Sequence, residues 1–312
     1  MSSVISLQNA VRRFGKTAAL DDVSWEVPAG AVFALLGENG AGKTTSIRAL
    51  LGLESLDSGR AQVLGFDSQS QGIEIRRRVG YVPEQPVLYD WMTVNEIGWF
   101  TSGFYGETFA PKYHQLIADF KVPVERRIRD LSKGMRAEVS LALALAHEPQ
   151  VLILDEPTSG LDTLVRRRFL ESMVDWAASG RTVLLSSHQI GEVERVADVV
   201  AIMQEGRILL CERLEQLKTR LEQWTISLAE GQTTLPDLDV ETILVEQRGR
   251  QFQAMVSQPP TDALWRWREH PAISHIEVHV PSLEEIFVTY LRRSSDPSAE
   301  AANPGTRQET SR

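Results

Sequence analysis

The run Gly37-Glu38-Asn39-Gly40-Ala41-Gly42-Lys43-Thr44 puts glycine at its first and sixth places and follows them with a lysine and a hydroxyl residue. Glycines so spaced let backbone amides curl around phosphate oxygens, and a helix starting here would add the positive end of its dipole. Lys43 can then reach the β- and γ-phosphates, and the Thr44 hydroxyl can ligate Mg²⁺. Further along, the apolar run Val151-Leu152-Ile153-Leu154 ends in two carboxylates. Asp155 can hold the metal directly or through water, and Glu156 can accept a proton from an attacking water.

These groups work together only if strands and helices deliver them to one place. Short apolar runs alternate with amphipathic stretches over residues 1–215: "AVFALLG" then "TTSIRALLGL", "VLILDEP" then "VRRRFLESMVDWAAS", "TVLLSSH" then "IGEVERVA". Strand followed by helix, repeated, predicts an α/β domain whose ligand crevice lies at the carboxyl ends of parallel strands. The segments "ISLQNAVRRF", "ALDDVSWEV" and "GRAQVLGFD" read as antiparallel edge strands between turn residues. Residues 87–147 are helical in pattern and form an expected subdomain. Most of its aromatics (Tyr89, Trp91, Trp99, Phe100, Phe104, Tyr105, Phe109, Tyr113, Phe120) are expected in its core, with some left to form a docking groove. From residue 216 to 293 the pattern changes to alternating strands and two helices, a small α+β accessory domain with a capping box at Ser282 and Glu285. Residues 294–312 lack periodicity and are expected to be disordered.

Composition narrows the field. The net charge of −9 argues against nucleic acid as the main partner. The single cysteine, Cys211, excludes an intramolecular disulfide and a cysteine metal cluster, and is expected as a small buried apolar group. The start of the chain shows no secretory pattern, and no apolar run approaches the ~20 residues of a membrane span. A membrane connection is therefore expected only through a partner. In "SHIEVHV", Ile276, Val278 and Val280 take one face of a strand, leaving His275, Glu277 and His279 on a solvated face rather than at a metal.

With these motifs in this order, residues 4 to about 215 resemble the nucleotide-binding subunit of ATP-binding cassette (ABC) transporters. "LSKGM" at 131–135 resembles the family signature LSGGQ, Ser159-Gly160-Leu161-Asp162 the D-loop, and His188 the H-loop histidine. Phe14 stands where the family stacks an aromatic ring on adenine. The resemblance implies a P-loop NTPase cassette with a helical subdomain and an antiparallel β edge, and ATP and Mg²⁺ as ligands. Phe14 and the stretch from Gly37 to Thr45 would hold ATP, including Glu38, Asn39, Gly40, Ala41, Gly42, Lys43, Thr44 and Thr45. It also implies two cassettes arranged head to tail, each offering Ser132, Lys133 and Gly134 to the nucleotide of the other. Glu156 would polarise water, and His188 would sense the γ-phosphate. The implied partners are a second cassette, identical or related, and a separate integral membrane permease at the cytoplasmic face, of the bacterial drug, lipid or polysaccharide export type.

Two departures stand out. Glu84, with Gln85 next to it, occupies the place of the Q-loop glutamine, and Glu84 is expected as the metal-side residue. Lys133 and Met135 replace a glycine and a glutamine of the signature, and the site is expected to be active. The alternative of a soluble ABC ATPase acting on ribosomes or DNA fits less well, because there is one cassette and no extended heptad insertion. A GTPase or small-molecule kinase would leave the signature, D-loop and H-loop unexplained.

Overall fold

The computed structural model describes residues 3–237 and 239–295. Among the described residues two units are compact by internal packing: residues 3–189 with 195–211, and residues 190–194 with 212–295. The break after Cys211 differs by a few residues from the sequence estimate of 215. The assignment of 190–194 to the second unit has no counterpart in that reading.

The centre of the first unit is β3 (Val32–Leu36), whose five residues are all buried. It pairs in parallel with β8 (Thr182–Ser187) on one side and β9 (Val199–Gln204) on the other. Beyond β8 come β7 (Val151–Asp155) and then β6 (Val79–Val82), while β10 (Arg207–Arg213) flanks β9. Strands buried on both faces read as unbroken apolar runs, which is why "AVFALL" and "VLIL" were legible. Parallel pairing brings the ends of β3, β8 and β7 to the same edge. There α1 (Lys43–Leu50) begins, Asp155 ends β7 and Glu156 follows it. A second, antiparallel sheet has the order β2-β1-β4-β5, with β1 Ser3–Phe14, β2 Thr17–Pro28, β4 Ser58–Val63 and β5 Phe66–Asp67. The short α2 (Gly72–Arg76) leads into β6.

The helical part comprises α3 (Val94–Ser102), α4 (Phe109–Asp119) and α5 (Lys133–Leu145) around Phe109, Tyr113, Ile117 and Val139. Thr93 and Glu96 form a reciprocal capping box that fixes the start of α3. The expectation that most aromatics here are core is corrected: Tyr89, Trp91, Trp99, Phe100 and Phe104 are exposed. The core is filled by Phe109 and Tyr113, whose ring occupies the space a side chain at Gly98 would need. The helix α6 (Thr163–Ala178) connects β7 to β8.

The second unit holds α7 (Ile190–Val193), α8 (Leu214–Arg220) and an antiparallel sheet of order β12-β13-β11-β14. Its strands are β11 (Leu221–Leu228), β12 (Thr242–Arg248), β13 (Gln251–Ser257) and β14 (Ile273–His279). With α9 (Ala263–Arg268) they enclose Trp224, Ile226, Val256 and Trp267, and α10 (Leu283–Ser295) packs against β12. Ser282 and Glu285 make the expected reciprocal cap of α10. His275, Glu277 and His279 share an exposed face, but Val280 is exposed too, since β14 ends before it. Cys211 is likewise corrected to exposed: β10 is an edge strand with little covering it. Helix α10 extends through Ser295, and the rest of the expected disordered tail lies outside the described residues.

Candidate active site

The cradle is built on close backbone approach. A β-carbon at Gly37 would collide with the carbonyl of Met203, and one at Gly42 with that of Ala19. Gly42 is also left-handed, at φ +110°, as the residue that opens α1. The turn from Glu38 to Thr45, with Ala19, Glu84 and Glu156, lines a cavity of about 330 Å³. Gln85 is not among its lining residues.

Lys43 is only 5% exposed. Its ammonium donates to the carbonyls of Gly37 at 2.7 Å and Glu38 at 3.2 Å, and lies 3.1 Å from Glu156 Oε1. That last contact is ionic without hydrogen-bond alignment, so Glu156 Oε1 is buried and lacks a hydrogen-bond partner. Glu156 Oε2 is 2.7 Å from His188 Nδ1. One carboxylate thus faces a cation on one side and an imidazole on the other.

Glu156 reaches this position with φ +47°. Two bonds from its amide, to Ser186 O at 3.2 Å and Ser186 Oγ at 2.9 Å, hold that unfavourable backbone. The same Ser186 hydroxyl donates to Asp155 Oδ1 at 2.6 Å. Register explains the arrangement, for Asp155 pairs directly with Ser186 across β7 and β8. Ser186 was not singled out from the sequence, where it is one of two serines in an apolar run. Tyr81, on β6 next to β7, is pushed up to about 12 by burial and then by the Asp155 charge, so it remains a neutral phenol.

Oxygen donors suited to a small hard cation are present in Thr44 and Glu84, which line the cavity, and in buried Asp155, the residue before Glu156. Among the described residues no cluster of His, Cys, Asp or Glu forms a self-sufficient metal cage. That agrees with the habit of Mg²⁺, which uses one or two protein groups and substrate phosphates.

The other expected residues lie apart. Phe14 ends β1 and is 47% exposed, with the Arg12 guanidinium 4.7 Å over one ring face. Ser132 caps α5 by accepting from the Met135 amide at 3.2 Å, and neither it, Lys133 nor Gly134 lines the cavity. In the SGLD loop, Ser159 donates its amide to the Glu156 carbonyl at 3.1 Å, and Asp162 accepts from the Val165 amide at the start of α6.

A glycine cradle after a central parallel strand, with a buried carboxylate and a histidine just past the ends of neighbouring strands, is the arrangement of a P-loop nucleotide hydrolase. Residues 20–159 match the family model described as ABC transporter. The Nod factor export ATP-binding protein I of Burkholderia lata is 36% identical over 209 residues, covering 65% of this chain and 68% of that protein. An uncharacterised ABC transporter ATP-binding protein of Nostoc is 36% identical over 287 residues, 89% of this chain and 84% of that one. A solved ATP-binding subunit of an ABC transporter superposes with TM-score 0.65 at 30% identity, covering 70% of this chain and 92% of that chain. The chain belongs to the ABC transporter family, as an ATP-binding subunit with ATPase chemistry.

Proposed function

We propose that this chain powers export through a separate membrane permease, by ATP-driven closure of two cassettes. The observation that carries the reading is the Lys43-Glu156-His188 constellation beside the cradle, set apart from the Ser132 surface. A γ-phosphate in the cradle offers Lys43 a stronger anionic partner than Glu156. Glu156 then exchanges Lys43 for the attacking water and takes its proton as the water oxygen bonds to the γ-phosphorus. ADP leaves with the bond to the bridging oxygen broken, and inorganic phosphate is the second product. His188 orients Glu156 and reads the γ-phosphate, and Phe14 offers adenine its free face. When bound, Mg²⁺ would neutralise phosphate charge, with Thr44, Glu84 and Asp155 as its protein ligands. Ser132, Lys133 and Gly134 meet the ATP of a second cassette, so that hydrolysis loosens the pair.

A groove of about 300 Å³ lined by Leu53, Pro86, Val87, Tyr105 and Leu143 supports a helical permease segment as the partner. Exposed Trp91, Trp99 and Phe104 lie in the neighbouring segment, residues 91–104. No helix among the described residues is long and apolar enough to cross a membrane, so the spanning chain is taken to be the partner. The word "export" in the Burkholderia relative's name supports the direction. The test is to tag the protein in its native cell, solubilise membranes gently and identify what co-purifies. A multi-spanning membrane protein is expected; recovery of only ribosomal or DNA-associated proteins would end the transport reading and leave the ATPase.

A further inference from the structure

The second unit carries a cavity of its own. It measures about 480 Å³, within the ~300–1,000 Å³ usual for small-molecule sites, and shares no residue with the nucleotide cavity. Strands β11, β12 and β13 and helix α10, with the Ser282 that caps it, supply its lining.

One face of β11 gives Trp224 and Ile226 to the core of this unit, and alternation puts Gln223 on the opposite face, across the ladder from Met255 and His279. Gln223 is only 8% exposed. Among the described residues its side-chain amide nevertheless makes no hydrogen bond, and neither does that of Gln253, which lines the cavity with it. A buried amide without partners costs folding free energy that a leucine of similar size would not. Packing therefore does not account for a glutamine at 223, whereas a bound group with complementary donors and acceptors does.

Most of the charge in this cavity is paired. Arg292 binds both oxygens of Glu246, and Arg248 lies 3.6 Å from the same carboxylate. Glu285 accepts from the Ser282 amide and hydroxyl, each at 2.8 Å, and meets His279 at 3.1 Å. Among the described residues Glu284 is the one acid of the lining without a partner, and it is exposed to water.

We propose that this cavity binds an uncharged small molecule that sets an apolar group against Leu244, Met255 and Val288 and presents amide or lactam edges to Gln223 and Gln253. An amide offers a donor and an acceptor side by side, the complement of a carboxamide, and brings no charge to be desolvated. A free carboxylate or ammonium would instead have to displace ion pairs already made.

The test compares three related probes at pH 6.5: neutral N-acetyl-leucinamide, anionic N-acetyl-leucine, and leucinamide, whose α-amino group is protonated there. Saturation-transfer NMR titrations are run on the full chain, with melting temperature measured for each variant. N-acetyl-leucinamide is expected to bind with a Kd of about 1–5 mM, and each charged probe at least about fivefold more weakly. Gln223→Leu should weaken the neutral probe at least about tenfold with melting temperature equal or higher, and Gln253→Leu at least about threefold. The proposal is overturned by absence of saturable N-acetyl-leucinamide binding up to about 20 mM, or by a charged probe binding as well as the neutral one. Unchanged binding in both leucine variants overturns it too, since the probe would then sit elsewhere. So does a fall of more than about 5 °C in the melting temperature of Gln223→Leu, because the amide would then be holding the fold.

Discussion

The phosphate cradle and the aromatic groove belong to the same compact unit, yet they treat their functional groups in opposite ways. Around the cradle, charge is enclosed: Lys43, Asp155 and Glu156 are each less than a tenth exposed, and each has a partner within the chain. Near the groove, apolar groups are left in water, with Trp99 at 74% and Val87 at 94% exposure. A charge can be kept in a protein interior only when it is paired there, so the enclosed charges around the cradle are paired by the chain itself. Apolar rings can stand on a surface, and a contiguous group of them marks a place that something else covers.

The largest effect should come from the enclosed side. Glu156→Gln should bind ATP but hydrolyse it at least about 100-fold more slowly, and accumulate as an ATP-dependent dimer on size-exclusion chromatography. A monomer under saturating ATP would count against the paired-cassette model for identical chains. Lys43→Ala should weaken ATP binding by about two orders of magnitude in a titration and cost about 3 kcal/mol of stability, because it leaves Glu156 buried without its cation. Ser186→Ala removes both the donor to Asp155 and an acceptor from the Glu156 amide. It should lower kcat about tenfold and cost about 1–2 kcal/mol, measured by denaturant unfolding.

On the open side the pattern should invert. Trp99→Ala with Phe104→Ala should change stability by less than about 0.5 kcal/mol, yet strip the protein from gently solubilised membrane complexes. If the pair unfolds the protein, these rings are structural and the contrast fails. The smallest effect concerns Tyr81. Its folded pKa is raised from 10.0 to about 12, so below pH 10 both folded and unfolded chains carry a neutral phenol. Between pH 10 and about 12 the unfolded chain sheds that proton first, and stability falls as pH rises. Tyr81→Phe should make the loss of melting temperature over that window shallower.

Much of the cradle was legible because backbone-dependent chemistry leaves a local trace. Glycines at Gly37 and Gly42 are needed where no β-carbon fits, and Lys43 follows them in sequence. Glu84 over Gln85 was a one-residue choice, and Glu84 is the one that lines the cavity. Ser186 left no such trace, since its role arises from register between β7 and β8 rather than from its neighbours in sequence. The exposed aromatics were misjudged for a related reason. Helical spacing says which residues share a face, but not whether another element covers it, and Phe109 and Tyr113 already fill the space beneath.

One detail of chain order bears on how such proteins can be taken apart. The segment Ile190–Glu194 follows His188 by two residues but packs with the second unit, where α7 meets α10 and Glu194 pairs with Lys218. Val193 is 1% exposed there. A cassette cut after Cys211 would leave that valine uncovered and that glutamate without its lysine. Exchange of the second unit between relatives therefore cannot be a simple tail swap: a functional chimera must carry its own version of residues 190–194 as well.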